Sequence, residues 1–131
     1  MRIRTIVGKE TLEAELLDND TARAIFAALP IESSYNTWGD EIYFSIPVRK
    51  DLEEGTTDVE VGDLGYWPPG RAFCIFYGPT PASSGDKPVP ASKVTLIGRV
   101  TGDAARLRKV SATAIRLEAA EGQKQSKDTC R

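Results

Sequence analysis

Five aromatic residues, two adjacent prolines, an arginine and a cysteine crowd into the fourteen positions of GYWPPGRAFCIFYG, residues 65–78. These types suit recognition. Trp and Tyr offer rigid amphipathic walls, and one guanidinium can answer a peptide carbonyl, a carboxylate or a small anion. Trp38 and Tyr43 lie beside a turn or on the second face of a strand, so a ligand groove of Trp38, Tyr43, Trp67, Arg71 and Phe76 is expected, with Tyr66 as a neighbour and Arg71 at the rim. The same rings serve equally to bury area in a core. Arg71 has a second use too, a surface ion pair with Asp40, Glu41 or Asp63.

Bond-breaking chemistry finds little to work with. The chain has no histidine, which removes Ser-His-Asp triads, Cys-His pairs and mixed Cys/His zinc sites. Asp40-Glu41 and Glu53-Glu54 are neighbours on extended chain, which sends adjacent side chains to opposite faces, so neither pair is a ready acid/base couple. Ser33 and Ser45 lack a basic partner in sequence. Cys74, between Phe73 and Ile75, is expected to be a buried inert thiol, and Cys130 lies in a polar end. With no CxxC spacing, neither a metal nor a cofactor is expected. The Ser83-Ser84-Gly85-Asp86 tip lacks the strand-loop-helix setting of a phosphate loop. No catalytic residue is assigned.

The 131 residues, 40% hydrophobic and 27% charged, fit one packed domain. We expect that domain over residues 1–119 and a polar tail over 120–131. No apolar run is long enough to span a bilayer, and MRIRTIVGKE has no secretory h-region, so a cytoplasmic location away from membranes is expected. Residues 1–98 carry nine Lys/Arg against fifteen Asp/Glu, and residues 99–131 carry eight against four. The basic end is scattered and without interleaved aromatics, so a solvated face is expected and a nucleic-acid partner is not.

The elements that must position the groove follow from periodicity. MRIRTIVG and TLEAELLD alternate with period two and form a hairpin turning near Gly8-Lys9. Ala22, Ile25, Phe26 and Leu29 fall at helical spacing, with Asn19 or Asp20 to cap and Pro30 to stop, and Phe26 is expected to plug a barrel end. IESSYNTW and EIYFSIPV read as strands joined at Gly39-Asp40, with Ile42 and Phe44 on one face and Tyr43 and Ser45 on the other. VEVGDLGYW is interrupted at Gly62 and Gly65, where a bulge or bend is expected. The Pro69-Gly70 pair suits the middle of a type II turn. AFCIFY is apolar throughout and reads as a strand covered on both faces. GPTPASSGDKPVP holds four prolines and reads as a surface excursion. KVTLIGRV, a short helix capped by Asp103 and SATAIRLE complete the pattern. The result is mainly β: a closed eight-stranded antiparallel barrel with two short helices.

Three stretches, NTWGDEIYFSIPV (36–48), GDLGYWPPGRAFCIFYGPTP (62–81) and PASKVTLIGRV (90–100), resemble the cyclophilin-like domain family of small prokaryotic proteins of unassigned activity. The resemblance extends over residues 1–119. It implies a cyclophilin-like barrel closed by helices. It does not carry over prolyl isomerase catalysis, because IESSYNTW has neither Arg nor His and no Phe-Met-x-Gln stretch follows. The function expected is binding of a small molecule or peptide segment without catalysis. Two alternatives stand beside it: a non-standard peptidyl-prolyl isomerase with Arg71 polarising the amide, and, by analogy of fold alone, a regulatory or assembly subunit of an amide-hydrolysing system.

Overall fold

The computed structural model describes residues 1–120. Of the tail expected over 120–131, only Ala120 is described, buried and with its amide donating to the Arg2 carbonyl at 3.0 Å; the remainder, with Cys130, lies outside the described residues. Arg2–Val7 (β1) and Glu10–Leu16 (β2) form the expected hairpin. Ile3, Val7, Leu12, Ala14 and Leu16 point into the core. The opposite face carries ion pairs, Arg2 to Glu13 at 3.0 Å and Arg4 to Glu118 at 2.8 Å.

Helix α1, Asp20–Ala27, is capped by Asn19, whose Oδ1 accepts from the Ala22 amide at 2.8 Å while its Nδ2 donates to the Leu96 carbonyl at 3.0 Å. Thr21, Ala22 and Ile25 are buried. Phe26, expected as the plug, is only half-buried. It packs against the edge of the barrel core, while Thr21 is fully buried with its hydroxyl donating to Glu53 at 2.9 Å. Asn19→Ala should cost about 1 kcal/mol or more by urea denaturation, while Asn19→Asp, which keeps the capping acceptor but sets an oxygen against the Leu96 carbonyl, should recover only part of it.

Seven further strands follow: Ile31–Ser34 (β3), Asn36–Thr37 (β4), Glu41–Ser45 (β5), Asp63–Trp67 (β6), Ala72–Phe76 (β7), Thr95–Val100 (β8) and Ala114–Ala119 (β9). They make one nine-stranded sheet in the order β3-β9-β1-β2-β8-β6-β7-β5-β4. The count exceeds the expected eight because IESSYNTW breaks at Tyr35. Its first half pairs with β9 and its second with β5, so this one kinked segment forms both edges of the sheet and nearly closes the barrel. At the other join, β2 meets β8 through only three residue pairs, Ala14 to Val100, Glu15 to Arg99 and Leu16 to Gly98.

The bulge expected near Gly65 lies between Leu64 and Gly65 against β8. The PPG corner is a 3-10 turn, Pro68–Gly70, and not a type II turn. The left-handed residue is Arg71 (φ 49°) instead of Gly70, because the two prolines wind the chain into a helical turn and the reversal is completed one residue later. The second expected helix is a 3-10 helix, Ala104–Lys109, capped by Asp103.

Two apolar clusters result. The larger fills the barrel, from Ile3 and Val7 to Phe44, Tyr66, Phe73 and Leu117. The smaller lies on the outer face of the sheet, where Val59, Ala72, Cys74, Phe76 and Val94 are buried with Tyr43, Trp67 and Leu96 packed against them. Its cover is the pair of long connections, 46–62 and 77–94. The second was expected as a surface excursion, yet Thr80, Pro88 and Pro90 are buried. Among the described residues no helix is long and apolar enough to cross a membrane.

Candidate functional site

Between the outer face of the sheet and the cover lies a cavity of about 250 Å³, lined by Trp38, Glu41, Tyr43, Trp67, Pro90, Ala91 and Val94. Strand alternation supplies its floor. Ile42 and Phe44 face the barrel interior, which turns Glu41 and Tyr43 outward. Across the ladder, Glu41 opposes Phe76 and Tyr43 opposes Cys74.

The turn that carries Trp38 is held at several points. The Trp38 amide donates to the Glu41 carbonyl at 2.9 Å, and the Asp40 amide donates to the Pro79 carbonyl at 2.9 Å. Gly39 adopts φ +63°, and a Cβ there would stand 2.8 Å from Thr80 Cα and from Pro81, so only glycine allows the 78–81 segment to approach so closely. The opposite wall is fastened as well. Val94 and Thr56 exchange backbone hydrogen bonds at 2.9 and 3.0 Å, and Trp67 Nε1 donates to Ser92 Oγ at 2.7 Å. The Thr80 hydroxyl donates to the Val89 carbonyl at 2.6 Å, tying back the chain that delivers Pro90 and Ala91.

The electrostatic centre of the pocket is Glu41, only 7% exposed. Its neighbour Asp40 faces elsewhere and binds Arg108 at 2.9 Å, and Asp63 is 3.6 Å from Arg99. Among the described residues no cation pairs with Glu41 within 4 Å. Burial pushes its carboxyl up to about 7, and a hydrogen bond with the Cys74 thiol pulls it partly back. The thiol itself is driven well above its usual range, first by burial and then by the Glu41 charge, so Cys74 is protonated and unreactive at neutral pH. A carboxyl poised near 7 can exchange a proton or hold a cation there.

Of the five residues expected in the groove, the structure brings Trp38, Tyr43 and Trp67 together at the cavity. Phe76 is fully buried in the outer cluster, beneath the site rather than on its surface. Arg71 is exposed after the PPG corner and is not a lining residue; among the described residues it has no ion pair. In the sequence Glu41 stands only as a partner for Arg71 and as half of an acidic doublet. The signal that could have found it is AFCIFY: a strand apolar on both faces requires its outer face to be covered, and β5 lies beside it. Among the described residues no group of three or more His, Cys, Asp or Glu could hold a metal ion.

A family model described as Cyclophilin-like matches residues 1–118. Among solved structures, the solution structure of the hypothetical protein AF2241 from Archaeoglobus fulgidus is 42% identical, with a TM-score of 0.76, over 92% of this chain and 95% of that one. The structure of McbB in complex with tryptophan is similar at 15% identity and a TM-score of 0.68, over 91% of this chain and 45% of McbB. That second likeness concerns the fold alone. A comparison with curated proteins found no match.

Proposed function

This chain belongs to the Cyclophilin-like family, and we propose that it acts as a binding module, taking a small molecule or the side chain of an extended peptide into the pocket at Trp38, Tyr43 and Trp67 without catalysing its turnover. The observation that carries this is the convergence of three half-buried aromatic rings on one cavity whose walls are pinned by backbone and side-chain hydrogen bonds. A prebuilt apolar recess with a single polar group is the usual form of a small-ligand site, since little ordering entropy is lost on binding. An isomerase would need Arg71 beside the aromatics to polarise the prolyl amide, and Arg71 is outside the lining.

The test is a small-molecule and short-peptide screen by amide chemical-shift perturbation on the full chain. Ligands should perturb the amides of residues 38–43 and 91–94. Trp67→Ala should weaken them at least about tenfold, the loss of ~1.4 kcal/mol or more expected from an aromatic wall. Arg71→Ala should change affinity less than about twofold. If Trp67→Ala retains full affinity, the binding site is elsewhere.

A further inference from the structure

Taking the pocket as a ligand site, we propose that its ligand is an organic cation, an alkylated ammonium whose nitrogen rests against the Glu41 carboxylate while its N-alkyl groups contact Trp38, Tyr43 and Trp67. Among the lining residues, Glu41 is the sole carboxyl, and none is Lys or Arg. Lys93, on the same segment as Ala91 and Val94, is exposed and not part of the lining. Arg108 is committed to the neighbouring Asp40 at 2.9 Å, and Arg99 lies 3.6 Å from Asp63. Glu41 is therefore a nearly buried acid for which the described residues supply no counter-ion.

Burying such a group ionised is costly unless an opposite charge accompanies it. An ammonium ion removes that cost, and aromatic faces add their own attraction to a desolvated cation. An anionic ligand meets the reverse situation, since its charge would face a carboxylate with no guanidinium or ammonium to offset it. A neutral apolar ligand fills the rings but leaves Glu41 where it was. The cation alone satisfies both halves of the wall.

Binding should also follow the ionisation of Glu41. The other titratable groups against or across from it are the Cys74 thiol, which burial keeps protonated, and the Tyr43 phenol on the same strand. Affinity for a cation should thus rise with pH between about 5.5 and 8, as the carboxyl deprotonates.

The experiment uses the full chain and reads tryptophan fluorescence during titration with tetramethylammonium, choline and benzyltrimethylammonium. Two controls are 3,3-dimethyl-1-butanol, the uncharged carbon counterpart of choline, and isovalerate, an anion of similar bulk. At least one cation should saturate the signal at least tenfold more tightly than either control. Glu41→Gln, with folding checked by circular dichroism, should erase that preference and its pH dependence, while Glu41→Asp, which keeps the charge, should retain part of both. Equal or tighter binding of the neutral or anionic control would overturn the cation assignment and leave the pocket as a ligand site. Failure of every cation to bind would overturn it as well, and unchanged cation affinity in Glu41→Gln would do the same. Loss of every probe in the wild-type chain, together with an empty screen, would count against the pocket itself.

Discussion

Gly98→Ala should lower the unfolding free energy by about 3 kcal/mol or more, the upper end of what overpacking a core costs, and the midpoint of thermal unfolding by roughly 10 °C. A Cβ at Gly98 would overlap the Glu15 carbonyl oxygen and stand 2.9 Å from Leu16 Cα. Both are backbone atoms of the strand to which β8 is hydrogen-bonded, so no side-chain rotation can relieve the overlap. The ladder itself must part. That ladder has three residue pairs, flanked by hydrogen bonds from the Leu17 amide to the Ile97 carbonyl and from the Thr101 amide to the Glu13 carbonyl, and among the described residues it is the one strand ladder between the group β3-β9-β1-β2 and the group β8-β6-β7-β5-β4. Gly85, with nothing within 4 Å of a built Cβ, is the control, and Gly85→Ala should be neutral. Equal midpoints for the two variants in differential scanning calorimetry would mean that the β2–β8 approach is looser than described.

The second large effect belongs to Glu41 and has a sign set by proton linkage. The folded chain holds a proton on this carboxyl that the unfolded chain releases, because burial raises it from 4.5 to about 7. Between those values the native state binds more protons than the unfolded state, so this group makes stability fall as pH rises. The penalty is absent below about pH 4.5 and complete above about pH 7. Glu41→Gln keeps the shape and removes the charge. It should leave stability unchanged within about 0.5 kcal/mol at pH 4.5 and raise it by roughly 2 kcal/mol at pH 8, the linkage value reduced for solvent at the pocket mouth.

Comparing variant with wild type at each pH cancels the other acids, including Glu118. Its carboxyl is held low by hydrogen bonds from Arg116 and then Arg4, and it favours folding in the opposite direction, at higher pH. Urea denaturation at the two pH values measures the difference. A variant less stable than wild type at pH 8 would show that the ionised carboxylate is satisfied by a partner. Together with the titration of cations, the result separates a site strained while empty from a merely structural acid: the first should gain stability from the neutral variant and lose its ligand by the same change.

Much of the scaffold was legible along the chain. The hairpin of β1 and β2, the Asn19 cap, the inward Ile42 and Phe44 and the interruption at Gly65 each depend on neighbours a few residues apart, where periodicity and turn chemistry act directly. The kink at Tyr35 was hidden because both halves of IESSYNTW are extended, and only their different partners, β9 and β5, separate them. The position of Arg71 was hidden for a related reason. It adjoins the aromatics in sequence, but the left-handed turn at its own backbone leaves it exposed and outside the cavity lining.

Residue types and their spacing determined a mainly β barrel, the absence of imidazole chemistry, and a pool of candidates for a groove, Trp38, Tyr43, Trp67, Arg71 and Phe76. Tertiary structure decided which face of the sheet is wet. Local alternation assigns Glu41 and Tyr43 to the outside of the barrel, and by that pattern Glu41 is an ordinary solvated acid. Only when residues 77–94 fold over β5, β6 and β7 does the outside become a second interior, and burial then turns the same carboxyl into the one uncompensated acid of an aromatic pocket. Solvation depends on what lies above a strand, and that covering chain lies far along the sequence from Glu41, at residues 77–94.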